Sequence, residues 1–257
     1  MSLPPLLADL PAYALAITVF AVLAAYTIFG ATGFGASLVA VPFLAHAFPI
    51  AFAVPLVTCL DVFAATSTSV RLRRVVAWRE FRRLLVPMLI GIALGATLIV
   101  KLPAAVSLGA LGVFVACYGT YLLVGPRTLR QAPDWLAWPI GIVGGVFSAL
   151  FGTGGPVYMV FLTARLTDKA ALRATSAAMI TVSAWLRLAV FGTAGLMHPT
   201  LLLLAAVAVP AMLLGLFLGN RLHHALSGRA VLRLIAVLLV GNGASLIARA
   251  IAEFRSD

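Results

Sequence analysis

Apolar positions gather into long runs, at roughly 12–47, 50–70, 84–100, 104–124, 136–166, 171–192, 200–220 and 230–250, with short polar connections between them. Most runs are near the ~20 residues a helix needs to span hydrocarbon. Two are much longer, and each is broken by a glycine cluster. In 12–47 the cluster is Gly30, Ala31, Thr32, Gly33, Phe34, Gly35; in 136–166 it is Gly152, Thr153, Gly154, Gly155, Pro156. The pattern predicts an all-α polytopic membrane protein in which these two runs fold back as glycine-tipped hairpins.

Composition agrees with this reading. The 257 residues are 63% hydrophobic and 10% charged, too little polar surface for a soluble globule, and no soluble domain is left over. The first apolar run has Asp9 and no Lys or Arg before it, so it lacks the basic region of a cleaved signal peptide and is expected to stay. Cys59 and Cys117 both fall in predicted spans without metal-ligand spacing and read as packing residues, so no metal site is expected.

The net charge of +11 is arranged as a topology signal rather than as a nucleic-acid surface. Arg71, Arg73, Arg74, Arg79, Arg82 and Arg83 crowd one short connection, as cytoplasmic loops do. Fixing that loop inside places Lys101 outside and Arg127 with Arg130 inside. Arg165, Lys169 and Arg173 then also ask to be inside, so 136–166 must leave and return on one side. Arg221, His223, His224 and Arg229 mark another inside loop. Of the 18 basic residues, 14 fall inside, three outside (Lys101, Arg249, Arg255), and Arg187 lies within a span. Both termini are expected outside, in a multi-pass protein of the cytoplasmic membrane.

Each half then holds a hairpin and three helices: residues 1–130 with hairpin 12–47 and helices 50–70, 84–100 and 104–124, and residues 131–257 with hairpin 136–166 and helices 171–192, 200–220 and 230–250. Five segments is an odd number, so the second half is expected to be an inverted structural repeat of the first. Internal similarity points the same way. Residues 88–98 match 212–222 with six identities in eleven, and Val113, Gly119 and Leu122 align with Val237, Gly243 and Leu246. The hairpin glycines align as Gly33 with Gly152 and Gly35 with Gly154.

Broken helices at matching places of an inverted repeat mark a transporter's substrate site. Backbone broken within the membrane exposes amides that lipid cannot satisfy, so it must line protein or a wet cavity. The return arms, about 36–47 and 155–166, would each be ~18 Å long and begin near mid-membrane, their N-termini presenting free amides and partial positive charge. The substrate-binding set expected here is Thr32, Gly33, Phe34, Gly35, Ser37, Gly152, Thr153, Gly154, Gly155 and Tyr158, the hydroxyls completing the shell of an oxyanion. Asp61, in mid-span, costs ~2.5 to 3.5 kcal/mol on insertion scales and is expected to be partnered, protonated or facing water. Asp61, Arg187 and Arg173 form the coupling or gating set. Whether Asp61 and Arg187 pair is left open.

The chain resembles the sulfite exporter TauE/SafE family. The likeness rests on Gly33 to Gly35 with Pro42 downstream, the basic loop Arg71 to Arg83, Gly152 to Pro156, and Leu172, Arg173, Ala174, Thr175. It implies movement of small sulfur-containing or organic anions such as sulfite, sulfonates, thiosulfate or sulfoacetate. The expected function is a secondary transporter holding the anion at the two hairpin tips and working by alternating access. Export is the default direction, because a potential negative inside drives an anion outward by ~2.3 kcal/mol per charge per 100 mV. The alternatives are an importer or channel, or a membrane assembly or sensor subunit without flux. No Gly-x-Ser-x-Gly occurs and the four histidines lie near span ends, so no enzyme is expected. No cofactor is expected; coupling to a proton or sodium and homo-oligomerisation are left open, the partners being a small anion and lipid, with no nucleic acid.

Overall fold

The computed structural model describes residues 12–99, 102–124, 132–225 and 228–256. Lys101, Arg127 and Arg130 lie outside the described residues, and the side chains of His223, His224, Arg229, Arg233 and Arg255 are likewise not described. The described residues form ten α-helices and no strand: α1 Ala12–Thr32, α2 Ala36–Leu44, α3 Ile50–Leu72, α4 Trp78–Ile99, α5 Ala104–Val124, α6 Ala137–Phe151, α7 Gly154–Arg165, α8 Lys169–Thr193, α9 Pro199–Ala225 and α10 Gly228–Ser256. Eight candidate membrane spans are found among the described residues, all of the helices except α2 and α7 contributing one. The protein is therefore an all-α, multi-pass membrane protein.

The two short helices are the return arms. α1 turns into α2 across Gly33 and Gly35, and α6 into α7 across Gly152, all three glycines at positive φ. α2, with nine residues, is ~14 Å long, shorter than the sequence suggests. It ends at Leu44, its last carbonyls taken up by the amides of Ala45, His46, Ala47 and Phe48 in the turn that leads to Pro49. Helix starts also move. α4 begins at Trp78 rather than near 84, since in its first turns Trp78 and the buried Phe81 are outnumbered by Arg79, Glu80, Arg82 and Arg83 and do not read as an apolar run. α8 begins at Lys169, where Asp168 caps it by accepting bonds of 3.1 Å from the amides of Ala170 and Ala171.

Packing follows small residues, as helix association in lipid requires close backbone approach rather than hydrophobic burial. A Cβ on Gly91 would meet Ile142 and Gly145, and one on Gly95 would meet Val146 and Ala149, so α4 runs parallel to α6. Gly215 lies in the same way against Leu23 and Thr27, and Gly219 against Thr27 and Ala31, so α9 runs parallel to α1. Gly112 faces Gly243 while Gly119 faces Ala236, which makes α5 and α10 antiparallel. Asp61 meets Arg187 and Thr66 meets Trp185, which makes α3 and α8 antiparallel. Hydroxyls elsewhere in the spans bond the preceding turn, Thr18 to Ala14, Thr58 to Val54 and Thr181 to Ala177, and so are satisfied within their own helices.

The ends of the second hairpin meet at the arginine-rich end of the molecule. Arg165 at the close of α7 lies 2.9 Å from Asp134 and 3.2 Å from Glu80, and donates 2.8 Å to the carbonyl of Ala132. Arg83 completes the network, 2.7 Å from Glu80 and 2.5 Å from Asp134.

Candidate functional site

The two hairpin tips lie side by side in the protein interior. A Cβ added to Gly152 would fall 2.8 Å from Ser37 Oγ, and one on Gly155 would fall 3.2 Å from Phe34 Cβ. Residue 37 therefore sits by 152 and residue 34 by 155, so the first turn of α2 crosses the first turn of α7 in antiparallel fashion. Between them is a small cavity of about 10 Å³, lined by Gly35, Ala36 and Ser37 from one tip, Gly152, Thr153 and Gly155 from the other, and by Phe29, Leu38, Asp61, Pro156 and Ile180. That volume is close to the least that admits a water.

Both return arms start without a side-chain cap: Gly35 precedes α2, Thr153 precedes α7, and neither cap residue bonds the helix with its side chain. The first amides of a helix have no intrahelical partner, and together with the helix dipole they favour negative charge. Two such ends open on one cavity.

The charged groups meet at the same place. Asp61 on α3 and Arg187 on α8 are each 1% exposed, with Arg187 Nη2 3.2 Å from Asp61 Oδ2. Ser37 donates to Oδ2 at 2.7 Å, and Tyr26 on α1 donates to Oδ1 at 2.9 Å. Asp61 is thus held from three other helices. Arg187 is not: its Nε and Nη1 have no hydrogen-bond partner, and Nη1 lies 2.7 Å from where a Gly152 side chain would begin. Glycine at 152 is required twice, by its φ of +71° and by the guanidinium beside it. The Thr153 hydroxyl is also buried without a partner.

Other residues expected at the site lie around it. Thr32 closes its own turn, donating 2.8 Å to the carbonyls of Ile28 and Phe34 and accepting from the amide of Phe34 at 3.3 Å; it does not line the cavity. Gly154 packs against the carbonyl of Gly144 and the Tyr158 ring packs on Gly144, so both shape the second hairpin from within. The Tyr158 hydroxyl is buried with no formed hydrogen bond. Arg173 lies under the first tip, where its backbone oxygen would be 2.7 Å from a Cβ on Gly33, and it hydrogen-bonds Asn220 on α9. Tyr26, Phe29, Ile180 and Asn220 were not expected from sequence; Tyr26 is one of several polar residues in its span, and nothing local marks it as the partner of Asp61.

A second cavity of about 410 Å³ adjoins the last turn of α6, lined by Phe48, Leu102, Ser107, Phe151, Arg249 and Glu253 among others. Here Arg249 on α10 donates 2.6 Å to the carbonyl of Ala45 at the close of α2, and His46 bonds Ser245 at 3.0 Å.

Residues 17–246 match the family described as sulfite exporter TauE/SafE. The chain is 32% identical over 193 residues, 74% of its length and 81% of the relative's, to a protein of Comamonas testosteroni named probable inner membrane transporter protein TsaS. It is 26% identical over 145 residues, 56% of its length and 57% of the relative's, to a protein of Cupriavidus necator named probable sulfite/organosulfonate exporter TauE. No solved structure matches.

Proposed function

Since the chain belongs to the sulfite exporter TauE/SafE family, and is thus a membrane transporter of the sulfite/organosulfonate exporter type and not an enzyme, we propose that its two hairpin tips are the seat of the transported anion. The carrying observation is a set of buried donors left without partners at the tips: the Thr153 hydroxyl and the uncapped first turns of α2 and α7 on the cavity, and Arg187 Nε and Nη1 directly behind its Gly152 and Asp61. Groups of this kind suit a sulfonate or sulfite head group, which offers only acceptors. The substrate is a small sulfur-containing or organic anion, moved across the cytoplasmic membrane, by default outward along the potential.

A cavity for one water does not hold such an anion, so the seat must widen as the hairpins part. Alternating access by an inverted repeat supplies that motion. In support, contacts between the halves recur with the halves exchanged: Gly91 on Ile142 with Gly215 on Leu23, Gly95 on Val146 with Gly219 on Thr27, Gly112 on Gly243 with Gly119 on Ala236. The antiparallel pairs α3 with α8 and α5 with α10 are those that inversion brings together. Arg173 under the first tip screens anions on the arginine-rich side, and Asp61 with Arg187 couples or gates the cycle.

The test is a thermal-shift screen of the purified protein against sulfite, thiosulfate, sulfoacetate, taurine and carboxylates, followed by flux in liposomes. Anions of the sulfonate or sulfite class should stabilise the wild type and show saturable flux with counterflow. The double variant Asp61→Asn, Arg187→Gln, which removes both charges of the buried pair together, should fold and lose that stabilisation. Retained anion binding in this variant would exclude the tips as the seat, and flux without saturation would make the protein a channel.

A further inference from the structure

In the closed arrangement Arg187 has a carboxylate already bound, and that carboxylate lines the cavity proposed for substrate. Resting on the reading of the tips as the anion seat, we propose that Asp61 is a tethered counter-ion, an internal substitute that occupies Arg187 when the carrier is empty and gives it up, taking a proton, when a substrate anion binds.

Three observations converge on this. First, a guanidinium buried to 1% exposure cannot stand alone in the interior, since an unpaired buried charge costs far more than a pair. An empty carrier that returns across the membrane must therefore neutralise Arg187, and Asp61 does so. Second, the grip is one-sided. Only Nη2 of Arg187 engages Asp61, at 3.2 Å, while Nε and Nη1 remain free to receive an incoming oxyanion before the first contact is given up. Third, Asp61 can be released without losing its place. Ser37 and Tyr26 hold it at 2.7 and 2.9 Å from α2 and α1, and a protonated carboxyl can keep one of these as an accepting contact and donate in place of the other.

The groups facing Asp61 are Tyr26 from α1, Ser37 from α2 and Arg187 from α8, with Cys59 on its own helix; Tyr158 on α7 faces Arg187. No second carboxylate is among them. The step is balanced: the Arg187–Asp61 contact breaks, an Arg187–substrate contact forms, and one proton taken up from the buffered solution joins Asp61. Anion and proton are then bound in the same state, so a monovalent anion adds no net charge to the loaded site.

The experiment measures sulfoacetate binding to full-length wild type and Asp61→Asn between about pH 6 and about pH 8, where the sulfonate stays ionised. Wild-type affinity should fall as pH rises, approaching about tenfold per pH unit for one linked proton. Asp61→Asn should bind on the order of tenfold tighter at the upper pH, the usual size of a coupling, and show no such slope. In liposomes the variant should retain sulfoacetate exchange while net efflux falls, because its empty form carries an uncompensated Arg187. Equal or weaker binding by Asp61→Asn, or a slope that survives the substitution, overturns the inference. If the variant does not fold, calorimetry on the wild type in buffers of different ionisation enthalpy decides: about one proton taken up per anion at the upper pH supports it, none overturns it. A wild type that binds none of the screened anions removes the seat itself, and this inference with it.

Discussion

The two hairpins are built to one plan and use their polar groups in opposite ways. The first turns through two left-handed glycines, Gly33 and Gly35, and its hydroxyls are all engaged: Thr32 on its own backbone, Ser37 on Asp61. The second turns through one, Gly152, with the amide of Thr153 bonded to the carbonyl of Phe147, and its Thr153 hydroxyl is buried and free. The first hairpin thus organises the charged pair, and the second keeps donors for something that is not protein. A symmetric backbone can carry an asymmetric site, with positioning on one side and recognition on the other.

The largest effects should come from filling the tips. Gly33→Ala adds a Cβ at φ +82°, 2.7 Å from a backbone oxygen of α8, which cannot yield as a side chain end does. A left-handed penalty of about 1–2 kcal/mol joins an overpacking cost of about 1–3 kcal/mol. Thermal unfolding in detergent should show a loss of folded protein. Gly152→Ala carries a similar φ penalty, but meets the Arg187 guanidinium and Ser37, so stability should fall less while anion-induced stabilisation disappears. Should Gly152→Ala keep full anion binding, the division of labour between the tips is wrong.

These contrasts were only partly legible in the sequence. Apolar runs marked the spans, and glycine clusters marked both hairpins, because a broken helix in lipid needs residues that tolerate left-handed backbone and close approach. Asp61 and Arg187 each stood out as a charge in an apolar run. That they meet depends on the rotation of α3 against α8 across 126 residues of sequence, which tertiary packing sets. The hydroxyls were harder still. Thr32 precedes its left-handed glycine and Thr153 follows one, and that single position decides which hydroxyl folds back on its turn and which faces the cavity. Tyr26 was hidden for another reason: nothing local distinguishes a phenol that bonds a distant carboxylate from one that packs.

A subtler pair of substitutions sharpens the same comparison. Thr153→Val keeps the shape and removes the free hydroxyl, so stability should hold or rise slightly, since an unpartnered buried group is lost. Anion affinity should weaken by about tenfold, the worth of a hydrogen bond to a charged group at about 1.5 kcal/mol. Thr32→Val removes the bonds that close the first turn; it should cost about 1 kcal/mol of stability and leave affinity unchanged. Thermal shift with and without sulfoacetate separates the two, and equal behaviour of the two variants would erase the distinction between hairpins.

The smallest effects are expected at the far ends of the return arms, which are anchored as differently as their tips. α7 ends in a four-membered ion network, Arg165 and Arg83 with Glu80 and Asp134, whose Asp134 side chain is 60% exposed and therefore screened by water. α2 ends on a bond from Arg249 to the carbonyl of Ala45, a cation on the negative end of a nine-residue helix. Each anchor is worth about 0.5–1 kcal/mol by these measures. Arg165→Met should lose its part of that in a salt-dependent manner, since at high ionic strength the exposed half of the network is already silent. Arg249→Met should lose a similar amount with little salt dependence, because the bond is local and half-buried. α2 carries Ser37 and hence the hold on Asp61, so Arg249→Met should also alter anion affinity slightly, whereas Arg165→Met should not. A salt-dependent loss in Arg249→Met with unchanged affinity would show that the anchor on α2 is an ordinary surface contact, and that the first hairpin is positioned from its tip alone.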